Sequence, residues 1–187
     1  MLNLLADALT TPIKLWEIYF NMTLEYCDTS PIVIDKMIAK LENNPHALLS
    51  MSVLEPSAGR GAIIKKLPVA EFVSFCELNM KKASTIRDET GAHFLDWDFL
   101  KLSEYFTFDR IVAVPPFDLE QWLVHTKKMY KHLRKDGKMV VLLPVEAIKS
   151  NDFMNWIMSL YGTIEFIKEC ACDYRCDTFI LEINKQD

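Results

Sequence analysis

Long apolar runs are missing from this sequence. Half of its 187 residues are hydrophobic, yet no uninterrupted stretch approaches the roughly 18 residues that a membrane-spanning helix needs. The first residues also lack the basic flank and the long apolar stretch of a secretory signal. We therefore expect a cytoplasmic protein with no membrane partner.

Cysteine and histidine are scarce, with five and four residues respectively. Cys170, Cys172 and Cys176 lie close together but form no Cys-X-X-Cys pair and have no histidine nearby, which disfavours a zinc site. An odd number of cysteines, mostly in apolar segments, is typical of reduced thiols. The histidines are scattered, and no Ser/His/Asp or Cys/His nucleophile arrangement is visible. We predict no metal and no disulfides.

Positive charge is in deficit, because 21 Lys and Arg residues face 26 Asp and Glu residues, for a net charge of -5. Such a chain lacks the basic field on which tight, sequence-independent nucleic-acid binding relies. Any grip on DNA is therefore expected to be local or supplied by a partner. One basic cluster fits either a phosphate contact or the solvated face and last turn of a helix. It comprises Lys127, Lys128, Lys131, Arg134, Lys135 and Lys138.

Linkers, repeats and low-complexity tracts are absent as well, and the length suits one domain. We expect a single domain over residues 1–187, with a helical N-terminal segment over 1–45 and an α/β core over 46–187. The helical segment is broken at Pro12 and at residues 29–31. In the core, short β-branched or aromatic runs alternate with helical stretches, which predicts a mainly parallel sheet with helices on both faces.

Five short apolar strands and three helices account for most of the predicted core, and two final strands form an antiparallel hairpin at one edge of the sheet. We expect Asp136-Gly137 to end the second helix. The first five strands cover residues 52–55, 72–77, 92–95, 110–114 and 138–143, the helices cover 81–89, 119–133 and 152–160, and the hairpin covers 164–169 and 178–183.

A glycine-bearing turn follows the first strand, with Gly59 and Gly61 placed just before a helix. In an open α/β sheet, ligands bind beyond the carboxyl ends of the strands, and glycines there let the backbone approach a ligand closely. A dinucleotide site would need a third glycine three residues after the second, where this chain has Ile64. A nicotinamide cofactor is therefore disfavoured, and a plain strand-to-helix turn is the alternative.

Acidic residues stand at the ends of the next two strands. Glu77 is placed where a carboxylate could hold the two adjacent hydroxyls of a ribose, and a surface glutamate is the alternative. Asp98 lies beside aromatic residues, a combination that can bind the amino group and the face of an adenine. Three adjacent strand ends would then point at one nucleoside.

In this order, the segments resemble the cofactor motifs of class I S-adenosylmethionine-dependent methyltransferases. The resemblance implies the Rossmann-like methyltransferase fold, α/β with a mainly parallel seven-stranded sheet, a C-terminal antiparallel hairpin and helices on both faces. It implies S-adenosylmethionine as cofactor, with the methionine part at the first turn, the ribose at the second strand end and the adenine at the third. The upstream Thr-Ser-Pro segment, residues 29–31, resembles a segment that lies over the cofactor in the amino-methyltransferases. It adds Thr29 to the implied cofactor residues. The cofactor residues so implied are Thr29, Glu55, Pro56, Ser57, Gly59, Gly61, Glu77, Leu78, Asp98 and Phe99.

After the fourth strand, Val114-Pro115-Pro116-Phe117 resembles the Asn/Asp-Pro-Pro-aromatic loop of the DNA adenine amino-methyltransferases. The adenine amine is a poor nucleophile, so the site must accept its N–H bonds and align the nitrogen with the methyl group. Two prolines offer carbonyls without backbone donors, and the aromatic ring can stack on a flipped base. The resemblance therefore implies methyl transfer to adenine in DNA, with these four residues as the catalytic set.

Val114 departs from that loop, since it stands where the family has Asn or Asp and cannot accept a hydrogen bond. Losing such a positioned group costs about two to three orders of magnitude in rate. A catalytically weak or inactive methyltransferase-fold protein that binds cofactor or a partner is one alternative, and a protein or RNA methyltransferase is another. The chain is barely longer than the core fold, so we expect sequence specificity to be slight, local or supplied by a protein partner. Compact enzymes of this kind are familiar from phages and mobile elements.

Overall fold

A computed structural model describes residues 29–68, 70–117, 121–168 and 177–186 of the protein. The first helix in these ranges, α1 (Pro31–Leu41), begins with a proline at its first position, where the missing N–H needs no partner. Its buried residues recur at helical spacing and include Val33, Met37 and Leu41. The predicted break at 29–31 therefore marks the start of α1, and the rest of the predicted segment, residues 1–28, lies outside the described residues.

Seven strands in the described ranges form one sheet in the order β3-β2-β1-β4-β5-β7-β6. The first five are mutually parallel where they pair, and β7 is antiparallel to both β5 and β6. Their bounds are β1 (Val53–Glu55), β2 (Val73–Cys76), β3 (His93–Asp96), β4 (Phe108–Ala113), β5 (Leu133–Pro144), β6 (Thr163–Ile167) and β7 (Thr178–Asn184).

In the part of the chain that the structure describes, four further helices connect or follow the strands: α2 (Ala62–Lys66), α3 (Met80–Thr90), α4 (Gln121–His132) and α5 (Asn151–Ser159). Short 3-10 helices lie between them, of which Phe99–Lys101 follows β3. None of the described helices is both long and apolar enough to cross a membrane.

Alternation along the strands divides the core into two layers. Val140 and Leu142 of β5 face the first core cluster, which contains the buried residues of α1, α2 and α3. Met139 and Val141 face the second core cluster, which contains the buried apolar residues of α4 and α5. Because successive side chains of a strand point to opposite faces, a run of apolar residues is what a strand covered on both faces requires.

The strand order reverses between β1 and β4. From β1 the chain moves outward through β2 to β3, then returns to pair β4 with the other side of β1. Such a reversal opens a crevice beyond the carboxyl ends of the strands, which is where ligands bind in open α/β sheets. The turn after β1, the ends of β2 and β3, and the loop after β4 all lie at that edge.

The prediction that helix 119–133 ends at Asp136-Gly137 is wrong. The helix ends at His132, and β5 begins at once with Leu133, whose side chain is buried. Asp136 has a positive φ of 60° inside β5, and its N–H donates to the carbonyl of Lys185 while the Lys185 N–H donates to that of Gly137. Pairing with the residue just after β7 therefore keeps this turn-like pair inside the strand.

Asp109, near the start of β4, ties that strand to the residue before β1. Its Oδ2 accepts hydrogen bonds from the Ser52 N–H at 2.8 Å and the Ser52 hydroxyl at 2.7 Å, and it pairs with Arg134 at 3.0 Å. Burial raises the pKa of this carboxyl, but the bonds from Ser52 and the pairing with Arg134 outweigh it, so the pKa is lowered.

We expect Asp109→Asn to reduce the free energy of unfolding by about 2 kcal/mol, because the amide loses charged hydrogen bonds. The lowered pKa gives a stabilisation that is present above the unfolded value of 3.8 and is lost as the pH falls through the folded value, so the difference from wild type should be smaller in acid. Urea denaturation at pH 7 and pH 3 measures both effects. Exposed Asp88→Asn is the control, and equal losses at both pH values would contradict the prediction.

Candidate functional site

The turn after β1 contains a position, Gly59, whose backbone conformation favours glycine. Gly59 has a φ of +57°, the left-handed region in which side chains are strained, and the residue is buried. A Cβ built there would nevertheless meet no atom within 4 Å. The backbone of Gly59 therefore borders open space at the crevice between β1 and β4, as a close approach to a ligand requires.

Gly61 has a different reason to be glycine. It also has a positive φ, of +73°, but a Cβ there would lie 2.8 Å from the Ile86 side chain of α3. The space beside Gly61 is thus occupied by the helix that follows β2. Its structural effect is to let the turn pack against α3, whereas the sequence pattern alone indicates close approach to a ligand.

Glu55, the last residue of β1, is a buried carboxyl with incomplete hydrogen bonding. Its residue exposure is 2 %, one side of the carboxyl accepts from the Ile64 N–H, and Oε2 has no partner in the described structure. Burial raises the pKa of Glu55 well above its ordinary value, and the nearby Glu77 raises it further. An incompletely paired buried carboxyl is costly to the fold and calls for a compensating role.

Replacement of Glu55 by glutamine should stabilise the protein at pH 8 by about 1 kcal/mol and change little at pH 4.5. A carboxyl with a raised folded pKa binds protons on folding, so wild-type stability falls as the pH rises above the unfolded value of 4.5. Glutamine does not titrate and removes that loss.

Thermal denaturation at the two pH values measures the Glu55→Gln effect, with exposed Glu146→Gln as the matched control. A gain of the same size at both pH values would show that hydrogen bonding, not ionisation, limits stability here.

Glu77 follows β2 directly and is held by two backbone donors. The Gly59 N–H donates to Oε2 at 2.8 Å and the Asn79 N–H donates to Oε1 at 2.8 Å. Burial raises its pKa, and these two donors partly oppose that shift. Each carboxylate oxygen can still accept another hydrogen bond, so the group is oriented and retains the capacity to bind a pair of hydroxyls.

Apolar side chains are exposed at the ends of β2 and β3. Leu78 is 48 % exposed and Trp97 is 43 % exposed, with the Trp97 ring centroid 4.5 Å from that of Phe94. Large exposed apolar side chains at a ligand-binding edge offer a flat surface for an aromatic ring.

Asp98 and Phe99 follow Trp97 but occupy different environments. The Asp98 Oδ1 accepts from the Leu100 N–H at 3.0 Å and so caps the short 3-10 helix, while its side chain stays 31 % exposed. The Phe99 ring is buried in the second core cluster, 5.6 Å from His125 and 5.3 Å from His132 between ring centroids. Phe99 therefore anchors this segment under the sheet, and Asp98 is left at the surface.

The loop after β4 carries the predicted catalytic set. Pro115 is buried, and Pro116 is half-buried. Val114 and Phe117 are half-buried and pack against the first core cluster. Residues 118–120 lie outside the described structure.

Two other predicted cofactor residues lie in the segments in which the sequence pattern placed them. Thr29 is half-buried and precedes α1, and Pro56 is buried in the turn after β1. The cysteines Cys170, Cys172 and Cys176 lie outside the described residues.

The basic cluster is largely engaged within the chain. The Lys128 ammonium donates to the carbonyls of Leu100 and Leu102. Three other cations form ion pairs, which disfavours a phosphate-binding role. These pairs are Lys131 with Glu104, Arg134 with Asp109, and Lys138 with Glu182. The prediction of a helix face and its last turn holds only for the members in α4, because Arg134, Lys135 and Lys138 lie in β5.

Sequence reasoning missed His125, which joins two of these segments. Its exposure is 8 %, its Nδ1 lies 3.5 Å from the Ser57 Oγ, and its ring packs on Phe99. The available signal was position: His125 shares a helix face with the buried Trp122 and Met129, where a polar residue requires a reason.

Comparison with solved structures identifies the fold. Three solved structures illustrate the similarity to this chain. A Listeria monocytogenes protein assigned to the class I S-adenosylmethionine-dependent methyltransferases has a TM-score of 0.63 and 15 % identity, over 83 % of this chain and 59 % of that one. The N-methyltransferase NodS from Bradyrhizobium japonicum WM9, in complex with S-adenosyl-L-homocysteine, has a TM-score of 0.61 and 14 % identity, over 99 % of this chain and 98 % of that one. A Plasmodium falciparum dimethyladenosine transferase has a TM-score of 0.61 and 17 % identity, over 85 % of this chain and 62 % of that one.

The predicted Rossmann-like methyltransferase fold, with its seven-stranded sheet and antiparallel last strands, is therefore confirmed. The chain spans less than two thirds of the length of the Listeria and Plasmodium proteins. No protein-family model matches the sequence, and comparison with curated proteins finds no similar sequence.

Proposed function

We propose that the protein is an S-adenosylmethionine-dependent methyltransferase that acts on an amino nitrogen, with adenine in DNA as its substrate. The observation that carries this proposal is the Glu77 carboxylate, which two N–H groups orient at the end of β2 beside the open space at Gly59. A plain strand-to-helix turn has no need of a buried, oriented carboxylate, because burying such a group costs stability.

The chemistry of the site fits this cofactor. When bound, S-adenosylmethionine supplies a methyl group on a positively charged sulfur. Glu55 and Glu77 are buried carboxyls at adjacent strand ends, and Asp98 lies at the next. A cationic ligand beside them would offset the cost of ionising the two buried groups.

Each predicted cofactor residue receives a role in the proposal. The turn after β1 holds the methionine part, Glu77 accepts hydrogen bonds from the ribose hydroxyls, and Asp98 binds the adenine amino group. Leu78 provides an apolar surface for the adenine ring, while the buried Phe99 fixes the segment that carries Asp98. The end of β1 contributes Glu55, and the turn after it contributes Pro56, Ser57 and Gly59, while Gly61 lets that turn pack against α3. Thr29 covers the cofactor from the segment before α1.

The loop after β4 orients the target nitrogen. In the proposal, the carbonyls of Pro115 and Pro116 accept the N–H bonds of the amine, and Phe117 stacks on a base flipped out of its helix. Alignment of this kind supplies much of the acceleration in a group transfer. No general base is required if the proton leaves to water after the methyl group has moved.

The choice of adenine rests on the Pro-Pro-aromatic loop, and the name of the Plasmodium neighbour also refers to adenosine. DNA is proposed as the polymer because the loop resembles that of the DNA enzymes. The net charge of -5 and the internal pairing of the basic cluster mean that the grip on DNA is local or is supplied by a protein partner.

A second candidate function, a methyltransferase-fold protein of weak or no activity that binds cofactor or a partner, is favoured by one observation. Val114 stands where the loop needs an acceptor, and it packs against the first core cluster instead of offering a polar group.

Methyl transfer tests the proposal directly. The purified protein is incubated with S-adenosylmethionine labelled in its methyl group and with duplex DNA, single-stranded DNA, RNA or protein, and cofactor binding is measured in parallel by calorimetric titration. Micromolar binding with label in the adenine of DNA supports the proposal as stated. Label in RNA or protein alone moves the substrate, and binding without transfer supports the second candidate. Absence of binding rejects the enzyme and leaves a methyltransferase-fold protein that binds a partner.

A further inference from the structure

A buried side chain of α4 contacts segments that follow two different strands. His125 lies in the first turns of α4, the helix after the loop that carries Pro115 to Phe117. Its Nδ1 is 3.5 Å from the Ser57 Oγ in the turn after β1, and its ring centroid is 5.6 Å from that of Phe99 after β3. The imidazole therefore bridges the segments to which the proposed function assigns the two ends of the cofactor.

The environment favours a hydrogen-bonding imidazole over a charged one. Burial lowers the pKa of His125 to about 4, against the opposing effect of Asp98, so the ring is neutral at pH 7. Lys128, one turn further along α4, directs its ammonium to the carbonyls of Leu100 and Leu102. A neutral imidazole keeps a donor and an acceptor without adding a positive charge beside a site meant for a cationic ligand.

We propose that His125 is a positioning residue: through the Ser57 hydroxyl, it holds the turn after β1 in the conformation that binds S-adenosylmethionine. This inference rests on the proposed function. At 3.5 Å the Ser57 contact is long, and hydrogen bonds in binding sites commonly shorten when the ligand binds. Packing of the same ring against buried Phe99 fixes it relative to the sheet, so the hydroxyl has a rigid partner.

A double-mutant cycle on cofactor affinity tests the inference without any need for catalysis. Calorimetric titration with S-adenosylmethionine is made on wild type, Ser57→Ala, His125→Phe and the double variant. Each single change should weaken binding about 5-fold, the value of one modest hydrogen bond, and the double variant should bind no more weakly than either. His125→Asn, whose amide can place a polar atom near the Nδ1 position, should recover most of the wild-type affinity.

Two controls separate positioning from general structural damage. Replacement of the exposed His46 by Phe should leave the affinity unchanged. If His125→Phe does not fold, His125→Leu replaces it in the cycle, and its double variant with Ser57→Ala should again bind no more weakly than either single variant.

The possible failures are distinguishable. Wild-type protein that does not bind S-adenosylmethionine rejects the proposed function, and the inference falls with it. Wild-type binding with unchanged affinity in Ser57→Ala, or with effects that multiply in the double variant, overturns only the role of His125.

Discussion

Glu77→Gln should weaken S-adenosylmethionine binding about 100-fold, because the change removes both a charge and an acceptor from a site with two fixed donors. The N–H groups of Gly59 and Asn79 point at the two carboxylate oxygens of Glu77. A glutamine side chain must turn its NH2 group toward one of them and so places two donors face to face. The turn after β1 then loses its anchor together with the proposed ribose contact.

Calorimetric titration of the purified Glu77→Gln variant measures this effect, and thermal denaturation shows whether the variant is folded. The exposed Glu71→Gln is the matched control and should bind as the wild type does. A folded Glu77→Gln protein with unchanged affinity would mean that the carboxylate only braces the turn, and the ribose contact would have to come from elsewhere.

Val114→Asn should raise the rate of methyl transfer about 100-fold, since it restores the acceptor that the adenine methyltransferase loop has at this position. The side chain is half-buried, so an amide of similar size at this position is not a fully buried polar group. Cofactor affinity should stay unchanged, because the change lies in the loop after β4 and not in the segments proposed to hold the cofactor.

Single-turnover transfer of labelled methyl groups to DNA measures the rate for Val114→Asn and for Val114→Ala. The Val114→Ala variant shortens the side chain without adding a hydrogen-bond acceptor, so its rate should not rise above that of the wild type. An asparagine variant no faster than wild type would mean that another group already supplies the acceptor, or that the loop does not bind an amine.

The parallel part of the sheet could be predicted because short apolar strands covered on both faces leave a clear pattern. Ends of elements were less predictable, as the region from Leu133 to Gly137 illustrates. An Asp-Gly pair normally ends a helix or makes a turn, but pairing with Lys185 keeps Asp136 in β5. That partner is far away in sequence, and no local pattern reports it.

The sequence could predict which strand ends carry an acidic residue. It could not predict the side-chain contacts between segments that are far apart in sequence. The reason for Gly61 is a side chain of α3, and the environment of Phe99 depends on two histidines of α4. His125 carries no motif of its own, since its contact with Ser57 joins residues 68 positions apart. Long-range neighbours of this kind become visible only once the strand order is known.

The position of β7 has a consequence for synthesis of the chain. β7 comes last of the described strands in sequence but lies between β5 and β6, so both lack their shared neighbour until residues 178–184 have left the ribosome. In the meantime β5, with its run of apolar residues, presents an open edge, and open edges recruit other strands. Nascent chains halted before β7 should therefore depend on chaperones more than the full-length chain does.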